Sequence, residues 1–387
     1  MLRFLTAGES HGPALSVIVE GLPAGLPLAA AAVDAQLQRR QLGYGRGGRM
    51  RIERDQVQIT AGVRHGETLG TPVAMTIFNR DWENWRVSMG VAGPVPKTGV
   101  TRLTRPRPGH ADLVGALKYG RTDLRDILER ASARETAARV AAGSLARVLL
   151  EHLGVTLGSW VESIGGARWA RVSGKPELLA KKAEASDVRC PDAKTAAAMR
   201  RAIDAAAQAG DTLGGVFTVA AWGLVPGLGS HVHYDRRLDA RLAAALMSIP
   251  AIKGVEAGSA FANAALPGSR VHDEIIRRAG QGYERTTNTA GGLEGGMTTG
   301  EPLWLRAAMK PIATLRKPLK SVDMKTKRPQ AAGYERSDVC AVPAAAVVGE
   351  AMTAWELARG YQEKFGGDSL QELQANWRNY KQQLRSR

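Results

Sequence analysis

The chain predicts a soluble, globular fold of mixed helix and sheet, and three observations carry that expectation. Segments with closely spaced apolar residues, such as ALSVIVE at 14–20 and GVFTVAAW at 215–222, read as strands. Between such segments lie stretches whose apolar residues recur at three- and four-residue steps. The clearest runs through Leu124, Ile127, Leu128, Ala131, Ala138, Ala141, Leu145, Val148 and Leu149. At 387 residues the chain has length for one large domain or two, and both stay open at this point.

Taken in order, GESHG at 8–12 falls between two strand signals, which puts His11 on a loop beside a strand. Ser10 next to it invites a hydrolase reading, but the G-x-S-x-G nucleophile elbow is absent. A helix is expected over about 30–40. After it, Gly43, Gly45 and Gly48 satisfy G-x-G-x-x-G in the wrong context, because a dinucleotide fingerprint follows a strand and opens a helix. Here the glycines follow a helix and lead into the strand-like RIERDQVQIT. They suit a loop that carries Arg40, Arg46 and Arg49 toward an anionic ligand; a solvated hairpin with surface arginines is the alternative.

TPVAMTIFNRDW reads as a strand and turn, and a long connection rich in Pro and Gly leads to RPGH at Arg107–His110. Pro108 and Gly109 fix a turn there, so His110 sits on a shaped loop. Arg130 and Arg134 follow, four residues apart. On a continuous helix they would leave the edge of the apolar stripe, a placement that asks for an anion. If the segment breaks, SARE at Ser132–Glu135 starts a new helix as a capping box, with Ser132 on the Glu135 amide and the glutamate reaching back. The plainest alternative is a surface helix whose arginines pair with Glu129 and Glu135.

Residues 150–210 alternate strand signals with a helical stretch and carry no evident chemistry. His231, His233 and Asp235 alternate, so a strand would present them on one face, but no third firm metal ligand accompanies them and no metal site is expected. SIPAIKG around Pro250 ends a helix in a turn. The glycine-rich TNTAGGLEGGMTTGEPL, centred on Glu294, permits close backbone approach to a ligand or forms a wide turn between strands. Arg336 and Asp338 precede a long apolar helix starting near Pro343, and a charged, helical tail closes the chain.

Lys and Arg number 53 against 37 Asp and Glu, a formal charge of +16, so an anionic partner is expected. Nucleic acid fits poorly: aromatics make up only 5% and nowhere interleave with basic residues as single-strand platforms require. Cys190 and Cys340 are far apart and form no CxxC, which suits a reducing compartment. No apolar run reaches the length of a membrane span, and the opening MLRFLTAGESHG turns polar too early for a signal peptide. A cytoplasmic location is expected.

The blocks GESHG, GYGRGGRM, RPGHAD, ERASARETAARVAAG, GLEGGMTTGEP, KPIATL and ERSDVCAVPAA, in that order over nearly the whole chain, resemble those of chorismate synthase. The resemblance implies an α+β fold, a single large domain over 1–387 with helices between antiparallel sheets, a charged helical tail from about 365, and a homotetramer. It implies a lyase that removes phosphate from 5-enolpyruvylshikimate 3-phosphate by 1,4-anti elimination, the last step of the shikimate pathway. Reduced FMN is required without net redox change.

By the same resemblance His11 protonates the departing phosphate, His110 serves the reduced flavin near N1, and Asp338 helps remove the substrate proton. Arg130, Ala131, Ser132, Pro250, Ala251, Gly295, Lys310, Pro311, Ile312, Ala313, Thr314 and Arg336 match flavin-contacting positions. Arg40 and Arg46 match positions for NADPH or substrate, and Ser10, Arg49, Arg107 and Arg134 are placed in the same set. NADPH is a candidate reductant, with a separate flavin reductase as the alternative source of reduced flavin. Two readings compete: a basic RNA-binding protein, with salt-dependent binding to unrelated nucleic acids, and a flavin oxidoreductase, with steady NADPH consumption.

Overall fold

The computed structural model describes residues 2–46, 54–94, 98, 100–170, 174–278, 282–335 and 337–386. Arg49 and Arg336 lie outside the described residues.

Among the described residues the main strand signals assemble into two antiparallel sheets of four and five strands, beside short two-stranded pairs. The first has the order Arg3–Ala7, Ala14–Glu20, Val73–Phe78, Val57–Ala61. Alternation sets its faces: Leu15, Val17 and Val19 are buried while Ser16 and Ile18 face outward, and Val73, Met75 and Ile77 join the buried side. The second runs Ile252–Ala257, Leu303–Met309, Gly215–Trp222, Thr156–Ile164, Ala167–Arg168. Thr156–Ile164 is buried on both faces, because Leu179 and Ala183 of the helix Pro176–Glu184 cover Trp160 on the far side.

Two helices pack on these sheets. Thr136–Glu151 packs on the first sheet at Ala14–Glu20, and Val342–Phe365 packs on Thr156–Ile164 and Gly215–Trp222 of the second. The helices also pack on each other, and small residues set how closely. A Cβ added at Gly143 would stand 2.5 Å from the Ala351 carbonyl oxygen, and where Val342–Phe365 meets the strand Gly215–Trp222 one at Gly349 would stand 2.8 Å from the Phe217 ring. The composition of Thr136–Glu151, where Ala137, Ala138, Ala141, Ala142 and Ala146 are fully buried, follows from that closeness.

One charged cluster lies inside this packing. Glu350, 2% exposed, accepts from Arg39 at 2.8 Å, Arg147 at 2.7 Å, Arg189 at 3.2 Å and Ser159 Oγ at 2.6 Å. Burial pushes its carboxyl up, but the arginines outweigh that and hold it well below the usual carboxylate range.

The helix expected over about 30–40 spans Ala30–Gln41, and the helix expected near Pro343 begins at Val342. The tail is a separate helix, Leu370–Ser386, anchored by buried Leu370 and Leu373. The strand-like RIERDQVQIT contributes Val57–Ala61; its first three residues lie outside the described set. The glycine-rich segment forms a short hairpin, Leu293–Glu294 with Met297–Thr298. Among the described residues no helix is long and apolar enough to cross a membrane.

Cys190 and Cys340 are free and buried, and burial pushes each thiol up to about 11, so both are packing residues at neutral pH.

Candidate active site

The loop Gly8–Pro13 turns because Gly8 takes φ +110°, where an added Cβ would meet the Ala14 carbonyl oxygen at 2.4 Å. His11 leaves this loop toward Glu129. The Glu129 carboxylate accepts from the His11 backbone N–H at 2.8 Å, and both its oxygens lie 2.9 Å from His11 Nδ1. Since a carboxylate only accepts, Nδ1 carries the proton of that bond. Trp85 stacks on the imidazole at 3.7 Å between centroids, its own ring held by a bond from Nε1 to Asp81 at 2.9 Å. Arg125 donates to Glu129 at 2.9 Å. Burial pushes the Glu129 carboxyl up, but His11 and Arg125 outweigh that and hold it low.

His110 repeats the arrangement. Its Nδ1 lies 2.6 Å from Asp112 Oδ1, and Arg107 donates to the same carboxylate through Nε at 2.8 Å and Nη2 at 3.0 Å. Arg107 Nη2 also lies 3.1 Å from His110 Nδ1. That contact sets donor against donor once Nδ1 is protonated, so the shorter carboxylate bond fixes the ring. Burial pushes the Asp112 carboxyl up, and hydrogen bonds from His110 and Arg107 pull it well below the usual range.

The two histidine groups are joined through the segment around Asp338. Arg125 reaches Glu335 at 3.5 Å; Ser337 Oγ donates to the Thr314 carbonyl at 3.3 Å; and Arg107 donates to Thr314 Oγ1 at 2.8 Å. Asp338 pairs with Arg46 at 3.1 Å. Residues 310–314 lie against the His110 turn: Lys310 Nζ donates to the Gly109 carbonyl, and a Cβ on Gly109 would be 3.7 Å from that of Ala313. The Lys310 N–H in turn donates to Ala251, which has φ +69°, at 2.9 Å, bringing the Pro250–Ala251 turn to the same place. Pro311 and Ile312 complete the run, Ile312 through its carbonyl to Thr212 Oγ1 at 2.7 Å.

Of the two readings of the Arg130–Arg134 segment the structure takes the broken one, with its capping corrected: Arg125–Leu128 ends, Ala133–Glu135 is a single 3-10 turn, and Thr136–Glu151 follows. Ser132 does cap, but it accepts from the Arg134 amide at 3.2 Å, not from that of Glu135. Glu135 does not reach back; it is drawn to Arg139 at 2.8 Å and Thr6 at 3.2 Å. Ala131 continues the short helix through its N–H to Ile127. Ser132 Oγ bonds to Ser10 Oγ at 3.1 Å, and Arg130 clasps the Thr6 and Gly8 carbonyls at 3.0 and 3.3 Å. The anion that Arg134 asks for is internal: Asp55 accepts from it at 2.6 Å and from Arg40 at 3.2 Å, all three being buried.

Gly295 is on the hairpin Leu293–Glu294 with Met297–Thr298, whose neighbours are Arg285 and Arg237. A strand presenting His231, His233 and Asp235 does not form. The segment bends, and exposed His233 pairs with Asp235 at 2.8 Å. Among the described residues no group of three or more His, Cys, Asp or Glu is placed to hold a metal ion. Sequence reasoning missed Asp112 and Glu129 as the partners of the histidines, along with Trp85 and Asp55. The His110-x-Asp112 spacing is the one signal that points to any of them.

A family model described as chorismate synthase matches residues 2–361. The chain belongs to the chorismate synthase family. It is 61% identical to a chorismate synthase of Moorella thermoacetica over 99% of both chains, and 58% identical to that of Desulforamulus reducens over 100% of both. A solved structure titled as a crystal structure of chorismate synthase is similar with a TM-score of 0.81 at 42% identity, covering 100% of this chain and 99% of that one. The family match stops short of the terminal helix Leu370–Ser386.

Proposed function

We propose that the residues joined around His11, His110 and Asp338 are the active site of a lyase that forms chorismate. The reaction removes phosphate from 5-enolpyruvylshikimate 3-phosphate by 1,4-anti elimination, the closing step of the shikimate pathway. One C–H bond and one C–O bond of the substrate break, a new double bond forms, and the products are chorismate and phosphate with no net oxidation. What supports this most is the pair of imidazoles, each bound through Nδ1 to a buried carboxylate. Such a ring keeps one nitrogen for proton exchange in a fixed direction.

In this reading His11 passes a proton from Nε2 to the departing phosphate. Ser10, Arg40, Arg46, Arg107 and Arg134, with Arg49, supply donors for the substrate or for NADPH. Asp338 carries the substrate proton away, and Arg46 beside it keeps its carboxylate in place. The donor set also fits a reduced FMN. Arg130, Ala131 and Ser132 present a cation and the N-terminal side of a helical segment, suited to a phosphate. The turn at Pro250–Ala251 and the run Lys310–Thr314 lie against the His110 turn, where a flat ring system would meet the imidazole. Gly295 and Arg336 belong to the same proposed set. When bound, the reduced flavin supplies electron density that weakens the C–O bond.

The wider reading is one domain, with helices held between the two antiparallel sheets, working as a cytoplasmic homotetramer. NADPH or a separate flavin reductase would keep the flavin reduced. The test is anaerobic: protein, a limiting amount of chemically reduced FMN, and an excess of 5-enolpyruvylshikimate 3-phosphate. Equal chorismate and phosphate, in amounts exceeding the flavin that stays reduced, are expected. Product that stops at one equivalent of flavin would replace the lyase with an oxidoreductase.

A further inference from the structure

We propose that Glu129 is the positioning residue for His11, fixing which ring nitrogen carries the exchanging proton and the direction in which it points. The inference rests on the role given to His11 above and deepens it. The same carboxylate holds the residue at two points, the backbone N–H at 2.8 Å and ring Nδ1 at 2.9 Å. Two anchors from one group remove both the rotation of the ring and the drift of the loop. A third restraint comes from the segment itself, since the Ser10 N–H donates to the Glu129 carbonyl at 3.0 Å. The imidazole plane is set by Trp85, stacked at 3.7 Å with 28° between planes.

Glu129 is itself over-determined. It is 2% exposed, and Arg125 donates to it at 2.9 Å while lying over the Trp85 ring at 5.1 Å. A buried carboxylate needs such a partner, and a carboxylate that already has one could be satisfied without any histidine. Its bonds to both donors of His11 are therefore additional structure. They are what a proton donor requires if Nε2 is to meet a departing oxygen within hydrogen-bond reach. A free imidazole favours the tautomer with the proton on Nε2, whereas Glu129 holds the neutral ring in the Nδ1–H form.

The experiment uses the full chain labelled with 15N-histidine, with the His11 signals assigned by their loss in His11→Ala. At a pH above the ordinary histidine range, His11 should show protonated Nδ1 and unprotonated Nε2. In Glu129→Ala the proton should move to Nε2. With substrate and reduced FMN, kcat of Glu129→Ala should fall by roughly 100-fold, with KM changing much less, as a misplaced reacting group produces. Glu129→Asp should recover part of the loss. Glu129→Gln, which keeps the side chain's volume, is measured in parallel so that unfolding of the alanine variant leaves a reading: its tautomer should be mixed. A His11 ring that keeps protonated Nδ1 in the folded variants, or a loss confined to KM, would overturn the proposal. Full activity of His11→Ala would instead overturn the role of His11, and the tautomer measurement would still report on Glu129.

Discussion

Asp112 lies 2.6 Å from His110 Nδ1, and it is the first residue of the helix Asp112–Tyr119. One carboxylate thus serves the start of a helix, where negative charge is favoured, and the tautomer of a histidine two residues before it. Replacing it with asparagine keeps the shape and removes the charge that Arg107 and His110 share. Asp112→Asn is expected to lower kcat by roughly 10- to 100-fold, the range seen when a group that orients a functional histidine is lost. Steady-state kinetics with saturating reduced FMN measure it; an unchanged kcat would remove Asp112 from the site.

Arg130 holds the loop before Ser10 through the Thr6 and Gly8 carbonyls, and its guanidinium is proposed to bind the flavin phosphate. Arg130→Ala should raise the FMN dissociation constant by about tenfold or more, as loss of one charge-assisted hydrogen bond does. Fluorescence titration of FMN reads this directly, and an unchanged constant would move the phosphate site elsewhere.

The buried carboxylates set the response to acid. Asp112, Glu129 and Glu350 all have carboxyls held below their ordinary range in the folded chain. A group of that kind contributes stability above its unfolded value of roughly 4, and the contribution is lost as pH falls through the lower folded value. The melting temperature should therefore drop steeply below about pH 4.5. In Glu350→Gln three arginines face a neutral amide, so stability at neutral pH should fall by about 3–5 kcal/mol and the acid limb should flatten. Urea melts at neutral and acid pH test both; an acid limb as steep as that of the unmodified chain would contradict the assignment.

Gly143 lies against Ala351 where Thr136–Glu151 and Val342–Phe365 pack on each other. Gly143→Val would drive them apart and should cost about 3 kcal/mol or more, at the upper end of overpacking effects. Chemical denaturation measures it, and a neutral result would mean that the helices adjust independently.

Much of this organisation is readable in the sequence, and the exceptions share a physical cause. The first sheet is legible at Leu15, Val17 and Val19 because a half-buried strand writes its faces in period two. The loop placement of His11 and His110 follows from flanking strand and turn signals. The break at Glu129–Ser132 is legible only as one of two alternatives, since the apolar spacing runs through it and the bonds of Ser132 to Arg134 and Ser10 decide for the turn. Glu129 looks like an ordinary helix-surface partner of an arginine because its other partner lies 118 residues earlier in the chain. Asp55 was invisible for the same reason: it gathers Arg134 from 79 residues away. Periodicity reports which face a residue takes, whereas the pairing of Glu129 with His11 and of Asp55 with Arg134 joins distant segments.

The most direct test of the site is turnover by His11→Ala, measured anaerobically with reduced FMN after circular dichroism and FMN titration have shown an intact fold and cofactor site. Loss of kcat by roughly 100- to 10,000-fold with FMN affinity retained is the predicted result, as expected when a positioned acid is removed. A kcat near that of the unmodified chain would contradict the placement of phosphate departure at His11.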